Sequence, residues 1–241
     1  MTKPRFEELD WQDSALGEIS LRRRVEPTLG IDVYEVKLGE EFLMSSLFTV
    51  AEIELARLGL AQASAVSPNG GIDVLVGGLG LGYTAATALE DDRVRSVTVV
   101  EAIRPVIDWH ERQLLPDTVE LTVDPRTRLH EGDFFAIIGG DTGFPADLPE
   151  TYDAILLDID HTPRHVLNPS HAPFYTSSGL AALRRYLRPS GVFALWSDDP
   201  PDDEFMDTLA SEFSSTSAHI VDFPNPLTGG ESSNTVYVAR S

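Results

Sequence analysis

Apolar and polar positions follow two different rhythms along the chain. Between residues 17 and 44 they alternate: Glu18-Ile-Ser-Leu-Arg, a turn at Pro27-Thr-Leu-Gly30, Ile31 to Leu38, then Gly39 before Phe42-Leu-Met44. A period of two marks half-buried strands joined by short turns, so residues 1–46 are expected to form a small antiparallel β unit. After Ser46, a candidate helix N-cap, Phe48, Val50, Ile53, Leu55, Leu58 and Leu60 recur at helical spacing as far as Ala61. Ser64 to Gly71, with its Pro68-Asn-Gly-Gly, reads as a linker.

From Asp73 onward the rhythm changes to apolar runs separated by helical stretches. Strands are expected at Val74–Val76, Ser96–Val100, Arg126–His130, Tyr152–Leu157 and Val192–Trp196, and helices at Tyr83–Leu89, Pro105–Leu114, Phe174–Leu187 and Asp202–Phe213. Runs without alternation belong to strands covered on both faces, which is the signature of a parallel sheet. Ile220–Phe223 and Thr235–Ala239, split by the Pro224–Gly230 loop, read as an antiparallel pair at one sheet edge. The expected fold class is α/β: over residues 47–241 a mostly parallel seven-stranded sheet with helices on both faces, whose closing antiparallel pair resembles the end of a Rossmann-like methyltransferase fold, preceded by the β unit.

Candidate chemistry collects at the ends of these strands. The first parallel strand runs into Gly77-Gly78-Leu-Gly80-Leu-Gly82, and the second ends in Glu101. A glycine turn that opens a helix, with an acid about 20 residues further on, is how open α/β folds hold a nucleoside. Two readings coexist: Gly80-Leu-Gly82-Tyr-Thr-Ala85 satisfies the dinucleotide pattern G-x-G-x-x-A, whereas the turn counted from Gly78 suits a nucleoside without a diphosphate, such as S-adenosylmethionine. The third strand is followed by Gly132-Asp133-Phe134 and the fourth by Asp158-Ile-Asp160-His161. Glu101 is placed to accept from ribose hydroxyls, Asp133 to accept from an adenine amine, and Phe134 either to lie against adenine or to anchor its helix.

Composition narrows the function classes. With 39 acidic and 18 basic residues the net charge is −21, which argues against nucleic-acid binding by phosphate neutralisation; Arg22-Arg23-Arg24 is too short a run to reverse it. The absence of cysteine excludes disulfides, thiolate zinc sites and cysteine-ligated clusters. His161, His165 and His171 lack zinc-like spacing, so no metal is expected. The polar N-terminus and the lack of a long apolar run lead to the expectation of a cytoplasmic protein with no membrane partner.

Together, the glycine turn, Val-Glu101, Asp124-Pro-Arg126, Gly132-Asp133, Tyr152-Asp153 through Asp158, Phe174-Tyr175 and Leu187-Arg-Pro-Ser-Gly191-Val resemble the polyamine aminopropyltransferases, the spermidine synthase family. The resemblance spans about residues 70 to 200, and the front β unit suits that family's N-terminal domain. It implies an aminopropyl transfer from decarboxylated S-adenosylmethionine to a small-molecule amine acceptor, with Asp158 activating the attacking amine. It also implies a homodimer formed through the front unit. The chain departs from the family pattern in a glycine turn without Asp and in His161, where the family carries a second Asp. Asp160 or His161 is then left to steer the substrate, and His161 is an alternative base. Other classes stay open: a small-molecule methyltransferase using intact S-adenosylmethionine, an NAD-binding oxidoreductase, or a ligand-binding scaffold without catalysis.

Overall fold

The structure is a computed structural model and describes residues 4–14, 17–63, 70–140, 142, 144–146 and 148–241. Residues 64–69 of the expected linker lie outside the described residues.

In front, Phe6–Ser14 (β1), Gly17–Val25 (β2), Asp32–Leu38 (β3) and Glu41–Ser45 (β4) form an antiparallel meander in chain order. Strand β1 precedes the segment whose alternation was legible. Its sequence, Phe-Glu-Glu-Leu-Asp-Trp-Gln-Asp-Ser, has no regular alternation, and it is held by pairing with β2 and by Trp109, whose indole donates to Asp10 at 2.7 Å. Apolar Ile19, Leu21 and Val36 enter the main core. The arginine run is consumed inside this sheet: Arg22 and Arg24 share Glu35 at 2.8 and 2.7 Å, and buried Arg23 meets Asp32 at 2.6 Å.

Behind it, Val50–Gln62 (α1) is followed by Ile72–Gly77 (β5), Tyr83–Leu89 (α2), Val94–Glu101 (β6), Arg104–Glu111 (α3) and Thr127–Glu131 (β7). Then come Phe134–Gly139 (α4), Tyr152–Leu157 (β8), Ser177–Arg184 (α5), Leu187–Ser197 (β9), Asp203–Glu212 (α6), Ser215–Asn225 (β10) and Gly230–Arg240 (β11). The seven large-sheet strands lie in the order β10-β11-β9-β8-β5-β6-β7, with β11 antiparallel to its neighbours and the five from β9 to β7 parallel. Connections from β5 run to one side and those through β8 to the other, so the order reverses at the β5/β8 boundary, where α/β folds open a crevice at the strand carboxyl ends.

Two apolar cores cover the sheet's faces. One joins α1, α2, α3 and the front sheet; the other is aromatic and joins α4, α5 and α6 through Phe134, Phe174, Phe193, Phe205 and Tyr237. Helix α1 lies close on the sheet at Gly59, where an added Cβ would stand 2.6 Å from Leu156.

Three expected boundaries move. Ser46 does not cap α1; its hydroxyl accepts from Tyr34 N at 2.9 Å and the helix starts at Val50. The expected helix Phe174–Leu187 is a 3-10 turn at Pro169–Tyr175 followed by α5, because Pro173 cannot donate into a helix ladder. The loop after Pro224 shrinks to a tight turn, since β10 and β11 pair as far as Asn225 with Gly230.

Several of the family-like motifs turn out to be fasteners of the sheet. Asp124 holds the Arg126 guanidinium, which donates to the carbonyls of Leu89 at 2.9 Å and Val94 at 3.1 Å, tying the end of α2 to β6. At the opposite end from the crevice, Arg188 bridges buried Asp73, at 2.7 Å, and Asp153, while the Asp153 carboxylate also accepts from Asp73 N at 2.9 Å. Buried carboxylates of this kind need such partners, because an unpaired charge out of water is costly.

Candidate functional site

Strand β5 delivers its glycine turn directly into the crevice. Gly78 donates to Val100 O at 2.9 Å and adopts φ +91°; a Cβ there would lie 2.3 Å from the Asp158 carbonyl, so no side chain fits. Gly82, with φ +89°, is the N-cap of α2 and backs onto buried His110, whose Nε2 lies 3.0 Å from Gly80 O. Gly77 packs against Leu157 and Phe134, and Gly80 faces the Met44 sulfur. The four glycines thus let the backbone pass between β6, β8 and the front sheet while leaving its outer side bare.

The three strand-end acids flank this turn. Glu101 is buried, and its two carboxylate oxygens accept from Leu79 N at 2.9 Å and Ile103 N at 2.8 Å. Burial pushes its carboxyl above the ordinary glutamate value, against the backbone N–H groups of Leu79, Ile103, Gly80 and Ala102. Asp133 is exposed and caps α4, accepting from Ala136 N at 3.1 Å. Asp158 follows β8, anchored by its own N–H to Gly77 O at 2.8 Å, and its Oδ2 accepts from the Thr84 hydroxyl at 2.8 Å. Burial raises the Asp158 carboxyl to about 6, Thr84 working in the opposite direction.

The remaining sequence candidates separate into cavity wall and support. Phe134 touches the cavity but is 2 % exposed and packs edge-on against Phe135 and Phe174, the helix anchor of the two readings. Asp160 is enclosed: it accepts from Tyr175 O–H at 2.9 Å and Leu167 N at 2.7 Å and pairs with His171 Nδ1 at 2.9 Å. It organises the loop after β8 rather than facing the cavity. His161 lines the cavity, while its carbonyl accepts from Asp198 N at 2.8 Å. His171 stacks on Phe135 with ring centroids 3.9 Å apart, and no cluster suited to a metal ion occurs among the described residues.

Gly78, Gly80, Gly82, Glu101, Asp133, Asp158 and His161 line one cavity of about 1100 Å³ running from the glycine turn to the front sheet and the β10–β11 hairpin, whereas Gly77 and Asp160 stand behind its wall. Its outer wall is apolar, built from Leu38, Phe42, Leu43, Met44 and Phe48, with Phe48 and Phe223 5.9 Å apart across the mouth. Sequence reasoning missed Glu52, on the first turn of α1. Its half-buried carboxyl, raised to about 8 by burial and by the Asp158 charge, faces the same space. The available signal was its place in the helical pattern, where Glu54 two residues on has Arg57 one turn further along as a partner and Glu52 has no such cation. No helix among the described residues is long and apolar enough to cross a membrane.

No family model matches the sequence, and no curated protein matches it. Solved structures do. A spermidine synthase in complex with the transition state analogue AdoDATO is 19 % identical, with 97 % of this chain and 73 % of that one covered, at a TM-score of 0.72. Spermidine synthase from Thermotoga maritima gives 19 %, 97 %, 72 % and 0.70 in the same order. Human methyltransferase-like protein 13 in complex with SAH gives 20 %, 78 %, 81 % and 0.58. At these identities the likeness is one of architecture: this chain has a divergent spermidine-synthase-like fold, a Rossmann-like methyltransferase sheet fronted by a four-stranded antiparallel one.

Proposed function

We propose that the protein transfers an aminopropyl group from a decarboxylated S-adenosylmethionine-type donor to a small-molecule amine. The carrying observation is the position of Asp158, a half-buried carboxyl at the point where the strand order reverses, fixed beside the bare glycine turn. The nucleoside would lie along the turn, its ribose at Glu101 and its adenine near Asp133 and Phe134. The two solved spermidine synthases and the methyltransferase with SAH support a donor of this kind.

The charge of the cavity favours the decarboxylated donor. Glu41, Glu52, Asp133, Asp158 and Asp198 line it, whereas the lining arginine, Arg164, is engaged by Asp202 and Glu204. An intact S-adenosylmethionine would bring its amino-acid carboxylate into this field, and like-charge juxtaposition costs binding energy. The decarboxylated donor brings only cationic groups. The apolar outer wall would take the acceptor's carbon chain.

Transfer needs no redox change. The amine nitrogen gives its lone pair to the propyl carbon attached to the sulfonium, and the C–S bond breaks with its electron pair going to sulfur, which becomes a neutral thioether. One proton leaves nitrogen for the Asp158 carboxylate. The protein contributes alignment and an ionised acceptor for that proton.

Calorimetric titration with S-adenosylmethionine, its decarboxylated form and NAD tests the donor, followed by product analysis with 1,4-diaminobutane and a series of monoamines. The decarboxylated form is expected to bind tighter than the intact one by about tenfold or more, each tenfold being about 1.4 kcal/mol. Preference for the intact form would replace aminopropyl by methyl transfer, and preference for NAD would remove both.

A further inference from the structure

The mechanism above uses one carboxylate, yet a second, Glu52, lines the same cavity. Glu52 comes from α1 and Asp158 from the end of β8, and both line the cavity. Thr84 joins their elements: its hydroxyl donates to Asp158 Oδ2 at 2.8 Å and lies 3.3 Å from the Glu52 carbonyl. No described arginine or lysine forms an ion pair with either carboxylate. Facing them are Tyr83 from α2, whose phenol donates to Asp117 at 2.9 Å, Glu41 from β4, His161 from the loop after β8 and Asp198 after β9. The β10–β11 hairpin adds Phe223 and neutral polar groups.

Two carboxylates in a partly dry cavity without a cation resist ionising together, so near neutral pH one proton serves the pair. The pair is not symmetric, because the Thr84 hydroxyl donates to one member, and a hydrogen bond donated to a carboxylate favours its charged form. We propose that Glu52 is the protonated partner of Asp158, a positioning residue that carries the pair's proton so that Asp158 remains the ionised acceptor for the amine's proton. This role rests on the transferase reading for its purpose, but the proton distribution itself does not. The pair then contributes one negative charge to the cavity. Burial raises both carboxyls, Asp158 to about 6 and Glu52, with the Asp158 charge beside it, to about 8, which agrees with that order.

The test is a pH titration of the ligand-free protein, carboxyl carbons labelled with carbon-13 and followed by NMR. In the wild type the Asp158 signal is expected to inflect twice, near 6 for its own ionisation and near 8 as Glu52 ionises beside it. In Glu52→Gln the second inflection disappears while the first stays, because Gln imitates the protonated acid. In Asp158→Asn the Glu52 midpoint falls by about one pH unit or more, since the neighbouring charge is gone. An Asp158 signal without the second inflection in wild type, or an unmoved Glu52 midpoint in Asp158→Asn, overturns the proposal; either variant alone decides it if the other does not fold. The kcat/KM profile adds a readout that a merely structural role would not move, the loss in Glu52→Gln of an inflection near pH 8. A coupled titration without amine alkylation would leave the pair standing and remove the transferase reading. Transfer with uncoupled titrations would do the reverse.

Discussion

Asp158→Asn is expected to lower turnover about 10²- to 10⁴-fold, the span of a lost general base, while the donor dissociation constant stays within about threefold. Asn keeps an oxygen for the Thr84 hydroxyl and preserves the backbone bond to Gly77, so the turn keeps its shape. What disappears is the oxygen able to take a proton. The wild-type pH profile carries the same information. A base works deprotonated, so the rate should fall as pH drops through about 6, the value to which burial raises this carboxyl, rather than near the ordinary aspartate value of 3.8. An acid limb near 4, or a parallel loss of donor affinity in the variant, would remove Asp158 from the proton-transfer role. Single-turnover rates with a saturating donor, measured beside calorimetric affinities, separate the two.

Glu101→Ala is expected to act on the other step, weakening donor binding about 100-fold with a change in kcat at saturating donor of less than about tenfold. Hydrogen bonds to a charged acceptor contribute about 1.5–3 kcal/mol each, and on the proposed function two ribose hydroxyls would donate to this carboxylate. The substitution also frees the N–H groups of Leu79 and Ile103, which the carboxylate holds at 2.9 and 2.8 Å, so the glycine turn loses its clamp. Glu101→Gln, which retains one accepting oxygen, should lose less. Equal loss of affinity in Glu101→Ala and Asp158→Asn would sink the division of labour between nucleoside and acceptor sides.

Local chemistry made much of this legible in the chain. Strand β8 is legible at Tyr152–Leu157 because a short run, apolar apart from Asp153 and stopped by Asp158, suits a strand covered on both sides, and the start of α2 at Tyr83 is marked by the glycine before it. Gly78 and Gly82 are glycine because their φ values, +91° and +89°, are closed to other residues without strain. Strand β1 escaped, since its stability comes from the edge of β2 and from Trp109 rather than from its own pattern. Asp160 escaped differently. Its neighbour Asp158 has the same local signature, and only the packing of Tyr175, His171 and Leu167 around it separates an enclosed fastener from a cavity-facing acid. The Asp124-Pro-Arg126 motif carries part of the family resemblance, and the bonds of Arg126 to the Leu89 and Val94 carbonyls make it a clasp of the fold.

The sequence by itself determined the succession of strands and helices, the glycine turn, and a row of acids at the strand ends, because hydrophobic period and backbone freedom are properties of neighbouring residues. Tertiary structure decided which acids meet. Glu52 and Asp158 lie on elements far apart in the chain, and the packing of α1 over the sheet places both in one cavity. Ionisation depends on distance and solvent access, neither of which is written in any short stretch of residues.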